Sequence, residues 1–534
     1  MTVGLEVNAG DVQPAIDARL AAWSKADFAS RLWDRDPTLW FDPPRDEIEN
    51  RLGWLCPGSG DGIDAINGFV TAAIDDGLTD VVLLGMGGSS LAPEVFASVF
   101  RSPDTPKLTV LDSTHPDVVA RVADSVDPAT TLFIVASKSG TTLETMSFFR
   151  ILWDRASAVL DNPGSRFVAI TDPDSLLAHL GDERDFRAVF LAPADVGGRF
   201  SALIEFGLVP AALVGVDLGR LLAGADAAAF ACGPEVDVGE NPALQLGAAL
   251  GELALAGRDK IVFRPEPVFA SFPVWAEQLI AESLGKDGIG ILPIAEGSAP
   301  VAPDRLPFAI GLSGATTTEV PSVTMTLDDA YDLGGAMYIL EMATAAAGAI
   351  LKVHPFDQPD VQLAKSMAHT AMTEGLGGFD VAEWTLDDDT TADNLRSLLS
   401  SAAPGGYVAI QAYLDPTRAT AQRLDAIADV VAEATGAAVT IGYGPRFLHS
   451  TGQFHKGGPE GGVFLQIVDH PSQDLDVPET DYSLGKLITA QSFGDQAALR
   501  DRGRPVGMIC LGDAGSADLP RLREMIEKAL ASSK

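Results

Sequence analysis

Residues 76–100 read DGLTDVVLLGMGGSSLAPEVFASVF. The apolar run Val81–Leu84 stops at glycines and gives way to apolar residues at helical spacing. A short apolar run bounded by turn residues and followed by a helix reads as a strand buried on both faces of a parallel sheet. The pattern continues outward. KLTVLD (107–112) precedes PDVVARVADSV (116–126), and TTLFIVASKSGTTLETMSFFRILW (130–153) precedes RFVAITD (166–172). Strands alternating with helices predict an α/β fold with a doubly wound parallel sheet.

A second α/β unit starts near residue 225. DKIVFRP (259–265) reads as a strand, PVWAEQLIAESLGK (273–286) as a helix, GIGILPI (288–294) as a strand and DLGGAMYILEMATAAAGAILK (332–352) as a long buried helix. The polar stretch WTLDDDTTADN (384–394) marks a connector. Beyond it, strands (YVAIQAYL, AAVTIGY, GVFLQIV, PVGMICL) again alternate with helices. Ahead of the first sheet, Ile16, Leu20, Trp23, Phe28, Leu32 and Trp33 follow helical spacing, broken by PTLWFDPPRDEI (37–48). The expected organisation is a helical arm (1–65), two doubly wound parallel-sheet lobes (66–224 and 225–372) and a C-terminal α/β extension (373–534). No repeat of fixed 20–50-residue period is visible.

The chain has 534 residues, 46% hydrophobic and 21% charged, which suits a globular protein with a sizeable core rather than a disordered one. Its net charge of −37 argues against nucleic acid and anionic membranes as partners. An anionic substrate would need a pocket that concentrates positive potential. Three scattered cysteines give no disulfide framework, and no Cys/His cluster has zinc spacing, so neither a metal nor an organic cofactor is expected. The N-terminus lacks the basic start and apolar run of a signal peptide, and no clean apolar stretch of about 20 residues is present. A cytoplasmic protein is expected.

Two loops at strand ends carry chemistry. GMGGSSLAPEVF (85–96) puts Gly88 and Ser89 where backbone can approach a ligand and a helix aims free N–H groups at it. An ordinary strand–helix turn would look the same. ASKSGTTLET (136–145) crowds Ser137, Ser139, Thr141 and Thr142 onto a turn beside Lys138. Hydroxyls and helix N–H groups form an anion cradle suited to a phosphate monoester, although simple helix capping also uses Ser and Thr. Neither loop is GxGxxG or GxxxxGK[ST], so the nucleotide fingerprints are absent.

GMGGSS followed by SKSGTTLET resembles the sugar isomerase (SIS) domain of the phosphoglucose isomerases. Three further stretches resemble family segments in the family's order. ADVGGRFSAL (194–203) places Arg199 in a signature arginine position. AEQLIAESLGK (276–286) places Glu282 where the catalytic glutamate stands. GAILKVHPFDQPDVQLAK (348–365) places Gln358 and Lys365 in substrate-contacting positions. The tail, with IGYGPRFLHSTGQFHKGGPEGGVFLQI (441–467), resembles the isomerase half of bacterial fused transaldolase–phosphoglucose isomerases, whose transaldolase half has no counterpart ahead of the arm. The resemblance implies interconversion of glucose 6-phosphate and fructose 6-phosphate, and a homodimer. A non-catalytic sugar-phosphate sensor, or an isomerase that also accepts mannose 6-phosphate, are the alternatives.

The residues support the chemistry on their own terms. Aldose–ketose isomerisation through a cis-enediol needs a base, a ring-opening group and positive charge near the developing oxyanion. Gln278 and Glu282 lie four apart and share a helix face, so Glu282 can be the base beside a substrate-binding Gln278. Glu282 and Lys286 could instead form an i,i+4 surface ion pair. Arg199 follows Gly197 and Gly198, and could stabilise an enediolate or merely bridge to a carboxylate. Lys365 could contact the substrate or be a solvated lysine. Many family members carry a ring-opening histidine ahead of the second signature, yet GLSGATTTEVPSVTMTLDDAYDLGG (311–335) has none. His455, in the glycine-rich FLHSTGQFHKGGP stretch beside Lys456, is the expected substitute on a loop that folds over the site; His354 and His449 are the rivals.

Overall fold

The computed structural model describes residues 3–58, 62–312, 319–374, 383–402 and 405–531. Three sheets organise them. The first runs Lys107–Leu111, Asp80–Leu84, Thr131–Ala136, Phe167–Thr171, Ala188–Leu191 and is parallel throughout. Val81–Leu84 are fully buried, as a run without alternation requires for a strand covered on both faces.

The second sheet runs Val3–Asn8, Ser322–Leu327, Arg305–Leu312, Lys260–Pro265, Leu292–Ile294. Its four inner and far strands are parallel, and Val3–Asn8 closes the edge antiparallel to Ser322–Leu327. This corrects the reading of residues 1–65 as a helical arm. The helices Gln13–Lys25 and Phe28–Trp33 form as expected, but the segment before them is an edge strand of the second lobe. The arm's tryptophans anchor it there too: Trp33 Nε1 donates to Cys232 O and Trp40 Nε1 to Ala345 O. Helix Leu333–Leu351 is apolar nearly all round, Glu341 and Thr344 excepted, because it is packed on every face. It is long and apolar enough to cross a membrane, yet 94% of it is buried inside the protein, the situation of a core helix.

The third sheet runs Glu383–Thr385, Val506–Cys510, Gly462–Val468, Tyr407–Tyr413, Ala438–Tyr443, Gly297–Ser298. Its first five strands are parallel. Its last, antiparallel strand is two residues donated by the second lobe. The tail is therefore a third doubly wound layer, hydrogen-bonded to the body of the protein.

Candidate active site

Helix Phe272–Leu284 begins with Pro273 in its first turn and buries residues all round it, including Gln278 and Glu282. The i,i+4 spacing does what the sequence suggests. Gln278 Nε2 donates to Glu282 Oε2 at 3.0 Å. The other carboxylate oxygen, Oε1, accepts from Arg199 Nη1 at 2.8 Å. Arg199 is 4% exposed and its fork is fully engaged. Nε donates to Ser283 Oγ, Nη1 also to Gln358 Oε1 at 3.1 Å, and Nη2 to the carbonyls of Pro355 and Asp357. One guanidinium thus gathers the Arg199 turn, the glutamate helix and the segment of the second signature. Gln278 Oε1 is buried without a hydrogen-bond partner, a free acceptor beside the carboxylate.

The surface-pair alternative for Glu282 is absent. Lys286 is 3% exposed, and its ammonium pairs with Asp357 Oδ1 at 2.9 Å and donates to the His354 carbonyl. Burial, with the Arg199 charge nearby, pushes the Lys286 ammonium down to about 7.

The GMGGSS turn lies against this group. Gly87 has φ +54°, and a Cβ there would meet Gln278 Nε2 and the His449 carbonyl, each at 2.7 Å. A Cβ on Gly88 would lie 2.0 Å from Gly198 O. The glycines let the turn press onto the Arg199 loop. Ser89 ends the one-turn helix Gly87–Ser89, half-buried, within the same turn.

The second loop opens onto a cleft of about 530 Å³, lined by Ser139, Thr141, Thr142, Glu144, Lys365 and His449 among others. Thr142 stands at the N-cap of helix Leu143–Ser157, but its side chain makes no capping bond. The hydroxyls pair with one another, Ser137 with Thr142 at 2.9 Å and Ser139 with Thr141 at 2.7 Å. A helix N-terminus and hydroxyls that bond only to one another and to their own loop, at the mouth of a cleft, fit an anion that could take over those bonds. Lys138 departs from expectation. Its Nζ pairs with Asp172 Oδ2 at 2.7 Å and donates to Ala194 O, so its charge is already matched. Lys365, exposed on helix Pro359–Glu374, lines the cleft instead.

The histidines sort differently from the sequence reading. His455 is not on a loop; it sits in the short helix Gly452–Gly457 and is 2% exposed. Its ring packs among Tyr407, Phe447 and Phe464, with Nδ1 3.2 Å from Gln411 Nε2. Burial and the charges of Lys456 and Arg504 push its imidazole well below the ordinary value, which keeps it neutral. Lys456 pairs with the buried Asp495 rather than offering a free charge. The expectation of a mobile loop carrying His455 over the site fails because the glycines of this stretch serve close packing. His354 is also committed. Its Nδ1 accepts from the amides of Phe356 and Asp357, and Nε2 lies 2.8 Å from Asp46 O.

His449 is the one of the three that reaches the cleft. Its carbonyl accepts from Gln278 Nε2 at 2.8 Å, and its Nε2 lies 3.0 Å from Glu144 Oε1. Gln491 Nε2 also donates to Glu144 Oε1. Burial opposes ionisation of Glu144, but the charge that His449 bears when protonated and its hydrogen bond, with Lys365 farther away, hold the Glu144 carboxyl below the usual range. Glu144 and Gln491 escaped the sequence reading. The signal for Glu144 was its place in the first turn directly after the hydroxyl cradle.

Comparisons with known proteins point to one family. A phosphoglucose isomerase family model matches residues 65–286. The chain is 30% identical over 427 residues to a glucose-6-phosphate isomerase of Rubrobacter xylanophilus, covering 67% of this chain and 95% of that relative. A glucose-6-phosphate isomerase of Campylobacter jejuni is 28% identical over 343 residues, covering 54% of this chain and 83% of that relative. Among solved structures, a glucose-6-phosphate isomerase of Chlamydia trachomatis shares the fold with TM-score 0.53 at 19% identity, covering 70% of this chain and 88% of that one. With a relative matched over nearly its whole length, and with the Arg199–Glu282–Gln278 group assembled from separate motifs, the chain belongs to the phosphoglucose isomerase family.

Proposed function

We propose that the protein interconverts glucose 6-phosphate and fructose 6-phosphate through a cis-enediol, with Glu282 as the base. The observation that carries this reading is the Glu282 carboxylate, held by Arg199 on one oxygen and Gln278 on the other. A base must be fixed to shuttle one proton between neighbouring carbons, and a guanidinium beside it favours the enediolate that forms. The phosphate is held in the cleft by the Ser139, Thr141 and Thr142 hydroxyls and the free N–H groups of helix Leu143–Ser157. Ring opening falls to Lys365 and His449. Lys365 gives a proton to the ring oxygen as its bond to the anomeric carbon breaks. The neutral His449 ring, its Nε2–H held by Glu144, takes the anomeric hydroxyl proton on Nδ1 as that oxygen forms the carbonyl, and the Glu144 carboxylate steadies the imidazolium that results. Glu282 then removes the C2 proton of the open aldose and returns it at C1, while the O2 hydroxyl proton passes to O1 through the cis-enediol, leaving the carbonyl at C2.

A sugar-phosphate sensor would need the cradle but not the base. A coupled assay on fructose 6-phosphate tests the point. Turnover is expected; tight binding of the sugar phosphate without turnover would replace the isomerase reading by the sensor. Running the same assay with mannose 6-phosphate reports whether the second epimer is accepted.

A further inference from the structure

Gln453 is completely buried in the short helix Gly452–Gly457 of the tail. Its Oε1 accepts from the Asp360 amide at 2.9 Å. Its Nε2 donates to Asp360 Oδ2 at 2.6 Å and to Gly285 O at 3.2 Å. Those two partners are not equivalent. Gly285 caps the helix that carries Glu282, three residues beyond it. Asp360 is in the first turn of helix Pro359–Glu374, five residues before Lys365. One amide therefore ties the end of the base's helix to the start of the lysine's helix.

The seat of this amide leaves little play. A Cβ on Gly285 would meet Phe454 Cα at 2.6 Å, and a Cβ on Gly457 would meet Asp360 Oδ2 at 2.4 Å. Gly288 N donates to Gly457 O, a second link between the loop after the base's helix and the tail. Asp360 Oδ1 is held in turn by Arg502. None of these groups lines the cleft that holds His449 and Lys365, so Gln453 acts through the helices it joins.

We infer that Gln453 is a positioning residue that sets the spacing between Glu282 and Lys365, and that through it the tail tunes the reaction; this rests on the isomerase reading above. Ring opening and proton transfer act on the same substrate at different atoms. A relative shift of about 1 Å between the two groups is enough to cost ~10²-fold in rate. A polar side chain suits the task because a buried amide bonded to both helices resists sliding, whereas apolar contact tolerates it.

The test compares Gln453→Leu and Gln453→Glu with the parent. Two substrates are used: fructose 6-phosphate, which must open its ring, and 5-deoxyfructose 6-phosphate, which cannot close the furanose. Turnover is measured on the first, and solvent hydrogen exchange at C1 on the second. The expected result is a kcat loss of ~10–100-fold on fructose 6-phosphate, of the scale that misplacement produces, with a much smaller loss of exchange on the open-chain probe. Gln453→Glu adds a pH readout. Its deficit relative to the parent should shrink as pH falls, because a protonated Glu side chain regains one donor for Asp360. Equal losses on both substrates at every pH would make Gln453 a fold-holding residue and overturn the proposal; unchanged kcat in both variants would overturn it as well. If Gln453→Leu does not fold, Gln453→Glu alone decides by the same two readouts. A parent without turnover on fructose 6-phosphate would be the failure of the isomerase reading, visible before any Gln453 variant is made.

Discussion

Arg199–Glu282 and Lys456–Asp495 are both buried ion pairs, with side chains exposed 4% and 10% in the first and 1% and 0% in the second. Their surroundings differ. The first is assembled from three distant segments, and beside it stands an unpartnered Gln278 oxygen next to a turn of glycines. The second is made within the tail. Lys456 donates to Gly452 O and Asp495, and Asp495 Oδ2 accepts from Gln466 Nε2. Burial of a charge pair by itself thus does not single out the proposed base. What separates the two is the polar capacity left over: an unpartnered Gln278 oxygen stands beside the first, whereas the second carboxylate has both oxygens bonded within the fold.

The contrast breaks most directly at Glu282. Glu282→Gln keeps the shape and one acceptor but removes the base, so kcat should fall ~10²–10⁴-fold while the protein still folds and binds sugar phosphate. Near-normal turnover, measured in the coupled assay, would make this pair as structural as the other. The tail pair should fail in the opposite way. Asp495→Asn leaves the Lys456 charge uncompensated in the interior and should lower stability by about 3–5 kcal/mol in urea unfolding. Replacing both, Lys456→Met with Asp495→Leu, should restore most of it; a double variant as unstable as the single would contradict the view that mutual compensation is its main role.

His449 and His455 sharpen the comparison within a single stretch of chain. His449→Ala should slow cyclic fructose 6-phosphate by roughly 10²-fold, as loss of a positioned proton-transfer group does, and spare an open-chain substrate. His455→Ala should affect thermal stability instead. The reverse pattern would return ring opening to the tail helix. A smaller effect is expected at the cradle. Ser137 is buried beneath the cradle and does not line the cleft, so the test falls on its neighbours: Ser139→Ala with Thr142→Ala should raise KM about tenfold, the scale of a lost hydrogen bond to a charged group, with less change in kcat. Undiminished protection of the double variant by inorganic phosphate against heat would remove these hydroxyls from phosphate binding.

The smallest effect is a pH slope. Burial and Arg199 hold the Lys286 ammonium near 7, far below the value of about 10.4 for an exposed lysine. Between those values the unfolded chain keeps the proton and the folded chain releases it, so this group makes stability rise with pH from about 7 upward. Urea unfolding at pH 7 and pH 9 should show a shallower rise in Lys286→Met than in the parent. An identical slope would mean that Lys286 stays charged in the folded protein.

The parts of the site that share a local element were legible in the sequence. Gln278 and Glu282 meet because a helix brings i and i+4 together, and the VVLL–GMGGSS junction is a strand and turn because its apolar run and glycines allow little else. The unread parts are long-range. Nothing local pairs Arg199 with Glu282 across 83 residues or Lys138 with Asp172 across 34. Val3–Asn8 alternates weakly and becomes a strand only because Ser322–Leu327 offers an edge. The glycines around His455 look like flexibility in sequence, yet Gly457 and Gly458 are there because neighbouring atoms occupy the space a Cβ would need.

The two-residue strand Gly297–Ser298 gives the tail sheet an edge it cannot make itself. Ala438–Tyr443, AVTIGY, is mostly buried and rich in β-branched and aromatic residues. Severed from the body, the tail would present that strand's outer hydrogen-bonding groups to solvent, an open template for self-association. The borrowed strand therefore works as a cap against aggregation, and it ties the solubility of the extension to the integrity of the lobes it is attached to.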